Sequence, residues 1–389
     1  MMRFILLLFV LSCGQSQPQE STPEGITLGA ARLDMLLPML EGKQVGLLVN
    51  HTSMIGATHL ADTLLARGAN ISKIFSPEHG FRGTADAGEK VDNSIDQKTG
   101  LPVVSLYGDL KKVKPTSEQL ADVDVVVFDI QDVGVRYYTY MGSLHYLMEG
   151  CAENNKQVIV LDRPNPNGHY VDGPILDMKF KSFVGMHPVP VVHGLTVGEY
   201  AQMINGERWL KDSAQCKLEV VPMLNYTHST RYSLPIKPSP NLPNDNAIAW
   251  YPSTCLFEGT ALSVGRGTQN PFELIGHPLL TDYKFQFTPV SIDGMAKQPR
   301  LENQVCHGID LRNERPGDQI SLKYVIELYN HYPKKEEFFI SYFNTLAGGN
   351  VLREQIIKGL SEAEIRASWT AGLEDFRRLR SQYLIYPEK

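Results

Sequence analysis

Residues 124–140 read Asp-Val-Val-Val-Phe-Asp-Ile-Gln-Asp-Val-Gly-Val-Arg-Tyr-Tyr-Thr-Tyr, and this stretch decides the fold. Val125 to Phe128 form an unbroken apolar run, with no alternation of polar residues. A short Val-rich run of this kind is the pattern of a strand covered by helices on both faces of a parallel sheet. Asp132, Gly134, Arg136, Tyr137 and Tyr140 follow it, so polar and aromatic groups crowd the point where the strand ends. In open α/β sheets, ligands bind beyond the carboxyl ends of the strands.

Four more segments repeat the pattern: Gln44–Asn50, Ile71–Ser76, Val103–Tyr107 and Gln157–Asp162. Amphipathic stretches separate them. His59–Arg67 puts Leu60, Leu64 and Leu65 on one face and meets Gly68, a residue suited to the left-handed end of a helix. Thr116 with Gln119, and Thr196 with Glu199, have capping-box spacing. Ser143–Asn154 carries Leu144, Leu147, Met148 and Cys151 at helical intervals. Strand–helix alternation predicts an α/β fold, a Rossmann-like doubly wound and mostly parallel sheet.

Leu218–Pro222 and Ala261–Val264 are read as extensions of the sheet, and the Pro- and Asn-rich residues 225–250 as a long loop. Beyond residue 281 the composition changes. A strand at Phe285–Val290 leads into three helical stretches, of which Ser361–Tyr383 is the clearest. The expected organisation is therefore a leader and tether at 1–25, a Rossmann-like domain at 26–280 and a smaller α+β domain at 281–389.

The chain has 389 residues, 21% of them charged and 42% hydrophobic, which suits a soluble protein with an ample core. Its formal net charge of −6 and lack of basic runs argue against nucleic acid as a partner. Arg3, the apolar Phe4–Leu11 and Ser12-Cys13-Gly14, followed by polar Gln15–Glu24, resemble a bacterial lipoprotein signal. The apolar run is too short to span a bilayer. The sequence thus predicts export to the periplasm or outer membrane, with the membrane reached only through a lipid on Cys13. The other cysteines, Cys151, Cys216, Cys255 and Cys306, are far apart and form no CxxC. They read as buried small hydrophobes rather than a metal cluster.

Chemistry gathers at the strand ends. Ser76-Pro-Glu-His-Gly-Phe-Arg-Gly83 follows the second strand. Pro77 ends the strand by removing a donor and fixing φ. Glu78 then stands at the crevice mouth beside His79, with Arg82 nearby. A carboxylic acid placed there suits proton delivery to a leaving oxygen. Asp129 and Asp132 form a second acidic pair, with Arg136 close enough in sequence to neutralise Asp129 internally. Tyr137 and Tyr140 offer flat faces for a sugar ring. In residues 256–273, Glu258, Arg266 and Glu273 are embedded in Gly and Thr, and Arg266 lies between two glycines. A guanidinium in such a loop grips a carboxylate, either a ligand's or its own neighbour's. His193 closes a further strand-like run. No GxSxG, GxxxxGK[ST], HExxH or GxGxxG after the first strand occurs. No cofactor and no metal is expected.

In this order SPEHGFRG, DIQDVGVRYYTY, DRPNPNG, VHGLTVGEY and FEGTALSVGRGTQNPFE resemble a bacterial family long labelled as of unknown function, which includes exo-β-N-acetylmuramidases. The resemblance covers about residues 28–389. It implies a Rossmann-like domain carrying the cleft, a smaller auxiliary domain, Glu78 as acid/base, and a peptidoglycan-derived glycan as substrate. Asp129, Asp132, Glu258 and Glu273 are candidates for a second carboxylate, and the sugar's own acetamido group is an alternative. His79, Arg82, Arg136, Tyr137, Tyr140, His193, Glu258 and Arg266 are the candidate binding residues. Two other readings compete: a muropeptide-binding envelope lipoprotein without activity, and a metal-dependent hydrolase using Glu78, Asp129, Asp132 and His193.

Overall fold

The computed structural model describes residues 25–78, 80–81, 93–107 and 113–389. In chain order the helices are α1 (Leu33–Leu40), α2 (Leu60–Ala66), α3 (Ser117–Leu120), α4 (Tyr140–Glu153), α5 (Val197–Gly206) and α6 (Asp245–Thr254). The helices α7 (Lys323–His331), α8 (Lys335–Phe338), α9 (Tyr342–Ala347), α10 (Val351–Ile357), α11 (Glu362–Ala367) and α12 (Thr370–Arg380) follow. None of the described helices is long and apolar enough to cross a membrane.

The central sheet is built from β1 (Val45–Val49), β4 (Ile71–Ser76), β5 (Ser94–Ile95), β6 (Pro102–Ser105), β7 (Val125–Asp129), β8 (Gln157–Leu161) and β9 (Lys217–Val221). A small hairpin, β2 (Met54–Ile55) and β3 (Thr58–His59), sits between β1 and α2. The sheet order is β5-β6-β4-β1-β7-β8-β9, and all neighbours pair in parallel except β5 with β6. The chain runs outward from β1 through β4 to β6, then returns to the other side of β1 at β7. That reversal beside β1 is the place where a doubly wound sheet opens a crevice.

Burial explains the apolar runs. Leu47, Val49, Val125, Val127, Ile159 and Leu161 face α1 and α2 in one core. Leu48, Val126, Phe128, Val158 and Val160 face α4 and α5 in the other. The central strands β1, β7 and β8 are therefore apolar on both faces, whereas β9 at the edge alternates Lys217 and Glu219 with Leu218 and Val220. Both expected capping boxes form, at α3 and α5.

The second half departs from the expectation in four places. Ala261–Val264 does not extend the sheet; Ser263 makes only an isolated bridge to Gly276. The supposed loop at 225–250 ends in α6, because the Asn244 side chain caps it by accepting from Ala247 N. The helix expected over Ser361–Tyr383 breaks into α11 and α12. There the Ser368 and Thr370 hydroxyls donate to the Ile365 and Arg366 carbonyls, competing with the backbone ladder. Finally β10 (Leu274–His277) pairs with β12 (Cys306–Asp310), which also pairs with β11 (Phe285–Phe287). The small antiparallel sheet thus includes residues ahead of position 281. All four cysteines among the described residues are free and buried.

Candidate active site

Three strand ends converge on one cleft: Tyr107 follows β6, Glu78 follows β4, and Tyr137 to Tyr140 follow β7. Asn50, after β1, is buried and donates to the Tyr140 hydroxyl. The cleft has a volume of about 240 Å³ and is walled by Tyr107, Tyr138, Tyr140, Tyr251 and Phe272, with Glu78 and Glu258 in the same lining.

Glu78 is half-buried. Tyr107 donates to its Oε1 at 2.8 Å, and the Thr139 hydroxyl donates to its Oε2 at 2.7 Å. Thr139 is the N-cap of α4, so the carboxyl also meets the positive end of that helix. Burial, and next the Glu78 carboxylate, push the Tyr107 phenol up, so Tyr107 stays a neutral donor.

Glu258 faces the same space from the second half of the chain. Its Oε1 accepts from Arg266 Nε at 2.6 Å and its Oε2 from Cys255 Sγ at 3.5 Å. The pair is neither sealed nor fully wet, with side chains 28% and 23% exposed for Arg266 and Glu258. Arg266 stacks over the Phe272 ring at 5.1 Å. Its terminal nitrogens have no hydrogen-bond acceptor among the described residues. Gly265 and Gly267 adopt φ of +76° and +81°, and a Cβ on Gly267 would lie 2.6 Å from Pro299 Cγ. The two glycines therefore serve the turn that aims Arg266.

Tyr137, Tyr138 and Tyr140 line the cleft, but their hydroxyls are committed. Tyr137 donates to the Pro252 carbonyl and Tyr138 to the Pro238 carbonyl, while Tyr140 accepts from Asn50 Nδ2. Their rings, not their hydroxyls, are offered to a ligand.

Other expected site residues lie elsewhere. Asp129 is fully buried and holds Arg163 in a two-pronged pair of 2.5 and 2.8 Å, so it is a structural acid. Asp132 is buried behind the cleft wall, accepting from Gly134 N at 2.7 Å. Glu273 accepts from Asn244 and Asn246 and steadies the start of α6. Arg136 spends its guanidinium on the carbonyls of Pro174, Val189 and Leu346. His193 is buried, and burial followed by the nearby Arg380 holds it down at about 3, so it is neutral packing. His79 and Arg82 lie outside the described residues.

Sequence reasoning passed over Tyr107, Thr139 and Tyr342 as site residues. Tyr107 had a usable signal, its place at the end of a strand. Thr139 lay inside a motif already singled out. Tyr342 had none, because it reaches the cleft from α9, more than two hundred residues beyond Glu78. Among the described residues, no group of three His, Cys, Asp or Glu could hold a metal ion.

Two carboxylates in an aromatic, hydroxyl-bearing cleft suit cleavage of a glycosidic bond, and the protein is an α/β glycoside hydrolase by its sequence relationships. The chain belongs to the exo-β-N-acetylmuramidase NamZ family, whose N-terminal model matches residues 45–246 and whose C-terminal model matches 249–386. It is 38% identical over 380 residues to the peptidoglycan β-N-acetylmuramidase NamZ of Bacillus subtilis strain 168, covering 91% of this chain and 90% of that one. Two crystal structures of DUF1343 family proteins from Bacteroides fragilis share the fold. The first has a TM-score of 0.87 at 47% identity, covering 94% of this chain and all of that one. The second has a TM-score of 0.79 at 30% identity, covering 93% and 99%.

Proposed function

We propose that this protein removes terminal β-linked N-acetylmuramic acid from peptidoglycan-derived glycan, with Glu78 as the proton donor. The observation that carries the reading is the position of Glu78: a carboxyl that accepts from the Tyr107 and Thr139 hydroxyls where three strand ends meet. In the proposed reaction Glu78 gives its proton to the bridging oxygen as the bond to the anomeric carbon breaks. Water adds to that carbon, and its proton returns to Glu78. Glu258, the other acid among the described lining residues, faces the positive charge that develops on the sugar. The terminal nitrogens of Arg266 suit the lactyl carboxylate that distinguishes a muramic acid from a glucosamine.

The test is incubation with a chromogenic β-N-acetylmuramide beside the matching β-N-acetylglucosaminide. Release from the muramide alone is expected, undiminished by EDTA. Glu78→Gln should bind the sugar but turn over roughly 10²- to 10⁴-fold more slowly. Release from neither substrate overturns the reading and favours a binding protein; loss of release on chelation favours the metal-dependent alternative.

We also propose that the chain is exported and acylated on Cys13. The support is the order of Arg3, the apolar Phe4–Leu11, Ser12-Cys13 and the polar stretch after it. Labelling of cells with a fatty-acid analogue should mark the protein, and Cys13→Ala should abolish the label.

A further inference from the structure

The cleft does not end at Arg266. Glu258, Arg266 and Tyr342 also line a second and wider cavity of about 910 Å³. Its lining also includes the segment Met295–Arg300 and Ile340. The two spaces share one threshold, and both lie on the side of the molecule where the second half of the chain meets the strand ends.

The threshold is furnished for a ligand that passes through it. Tyr342 is 38% exposed, and its hydroxyl makes no hydrogen bond among the described residues. Arg300 lies on the wall beyond, and its one protein acceptor among the described residues is the Glu258 carbonyl, at a long 3.4 Å. Arg266 contributes the unengaged edge of its guanidinium. Among the described residues the lining holds one carboxylate, Glu258, already paired with Arg266; Lys297 also lies in it, and Arg300 has no acidic partner among the described residues. A cation in such a position lowers the cost of placing an anion nearby.

From these observations we infer that the wide cavity is the subsite for the departing part of the glycan, and that Arg300 selects leaving portions that carry a carboxylate. The inference rests on the reading that the terminal sugar occupies the smaller cleft. An enzyme that removes one terminal unit needs a confined space for that unit and an open path for everything attached to it. The narrow cleft and the broad cavity supply the two. The second half of the chain thereby has a function in recognition: it brings Tyr342, Met295–Arg300 and Glu258 to a cleft whose proton donor comes from the first half.

The experiment uses the full chain and two fragments of equal length, each with a terminal N-acetylmuramic acid. One bears a free carboxylate on a sugar of the leaving portion, and the other bears its methyl ester. Arg300→Ala should lower kcat/KM for the carboxylate fragment by roughly tenfold more than for the ester or the chromogenic muramide, the scale of one charge-assisted hydrogen bond. Arg300→Lys should recover part of the difference. In a Glu78→Gln background, titration calorimetry should show the same selective loss of affinity, so that binding is read apart from chemistry. Equal losses on both fragments, or no loss on either, overturn the subsite. If the unaltered protein cleaves nothing while the selective binding loss persists, the proposed reaction fails and the subsite stands.

Discussion

Glu78 and Asp132 are both acids set just past a strand, and their surroundings give them different tasks. Glu78 is half-buried with both oxygens engaged by hydroxyls in the cleft. Asp132 is buried, and its Oδ2 has no hydrogen-bond partner. Burial pushes the Asp132 carboxyl up from its ordinary 3.8 to about 7, against the opposing pull of the Gly134 and Val133 amides. Between those two values the folded chain keeps a proton that the unfolded chain has released. Stability attributable to Asp132 is therefore complete at acid pH and falls as the pH rises through 7. Asp132→Asn removes the charge while keeping an acceptor for Gly134 N. The variant should gain melting temperature relative to the parent at pH 8 and lose that advantage at pH 4, an effect on the order of a few kcal/mol. Parallel melting curves for the two proteins across this range would refute the assignment of a stored proton to Asp132.

At the scale of elements, the tail of the chain is sewn to the start of α5. Thr196 caps that helix and also donates to Asp162 Oδ2 at 2.7 Å. The Tyr386 hydroxyl reaches the same oxygen at 2.7 Å, while the Ile385 and Tyr386 amides donate to Glu199 Oε1. Burial, then the neighbouring Glu199, raise the Asp162 carboxyl to about 6, so each donor to it offsets a real cost. Tyr386→Phe should cost about 1.5–3 kcal/mol, the usual worth of a hydrogen bond to a charged group. Chemical denaturation would show it as a lower midpoint at unchanged slope. Strand and helix placement was legible because it rests on local patterns: β4 spans the residues read from the apolar run, and both capping boxes formed where Thr stands three residues before Gln or Glu. Partners far apart in sequence were not legible. Asp129 and Glu78 look alike in the chain, and only Arg163 arriving from the end of β8 makes one of them structural. Arg266 was visible through its flanking glycines, whereas nothing around Tyr342 announces a cleft residue.

At the scale of the whole molecule, the match to two family models invites the view of two separable domains, with a boundary between residues 246 and 249. That boundary falls inside α6, which runs from Asp245 to Thr254. Asn246 in its first turn grips Glu273, and Trp250 donates to the Glu314 carbonyl. The tyrosines behind the cleft depend on the same helix, because Tyr137 hydrogen-bonds the Pro252 carbonyl and packs edge-on against Tyr251. Arg136, from the first half, carries the Leu346 carbonyl of the second. One apolar core runs from Leu48 and Phe128 through Tyr251 and Phe272 to Phe343 and Phe376. Separating the halves would expose a large share of that core to water, at about 25 cal/mol for each Å² of apolar surface. Calorimetry of the intact chain should therefore record one cooperative unfolding transition, and residues 25–246 produced alone should lack the sharp near-ultraviolet dichroism of packed aromatic rings. Two well-separated transitions in the intact chain would instead mean that the halves fold independently, and that the cleft between Glu78 and Glu258 is assembled by docking rather than by a common core.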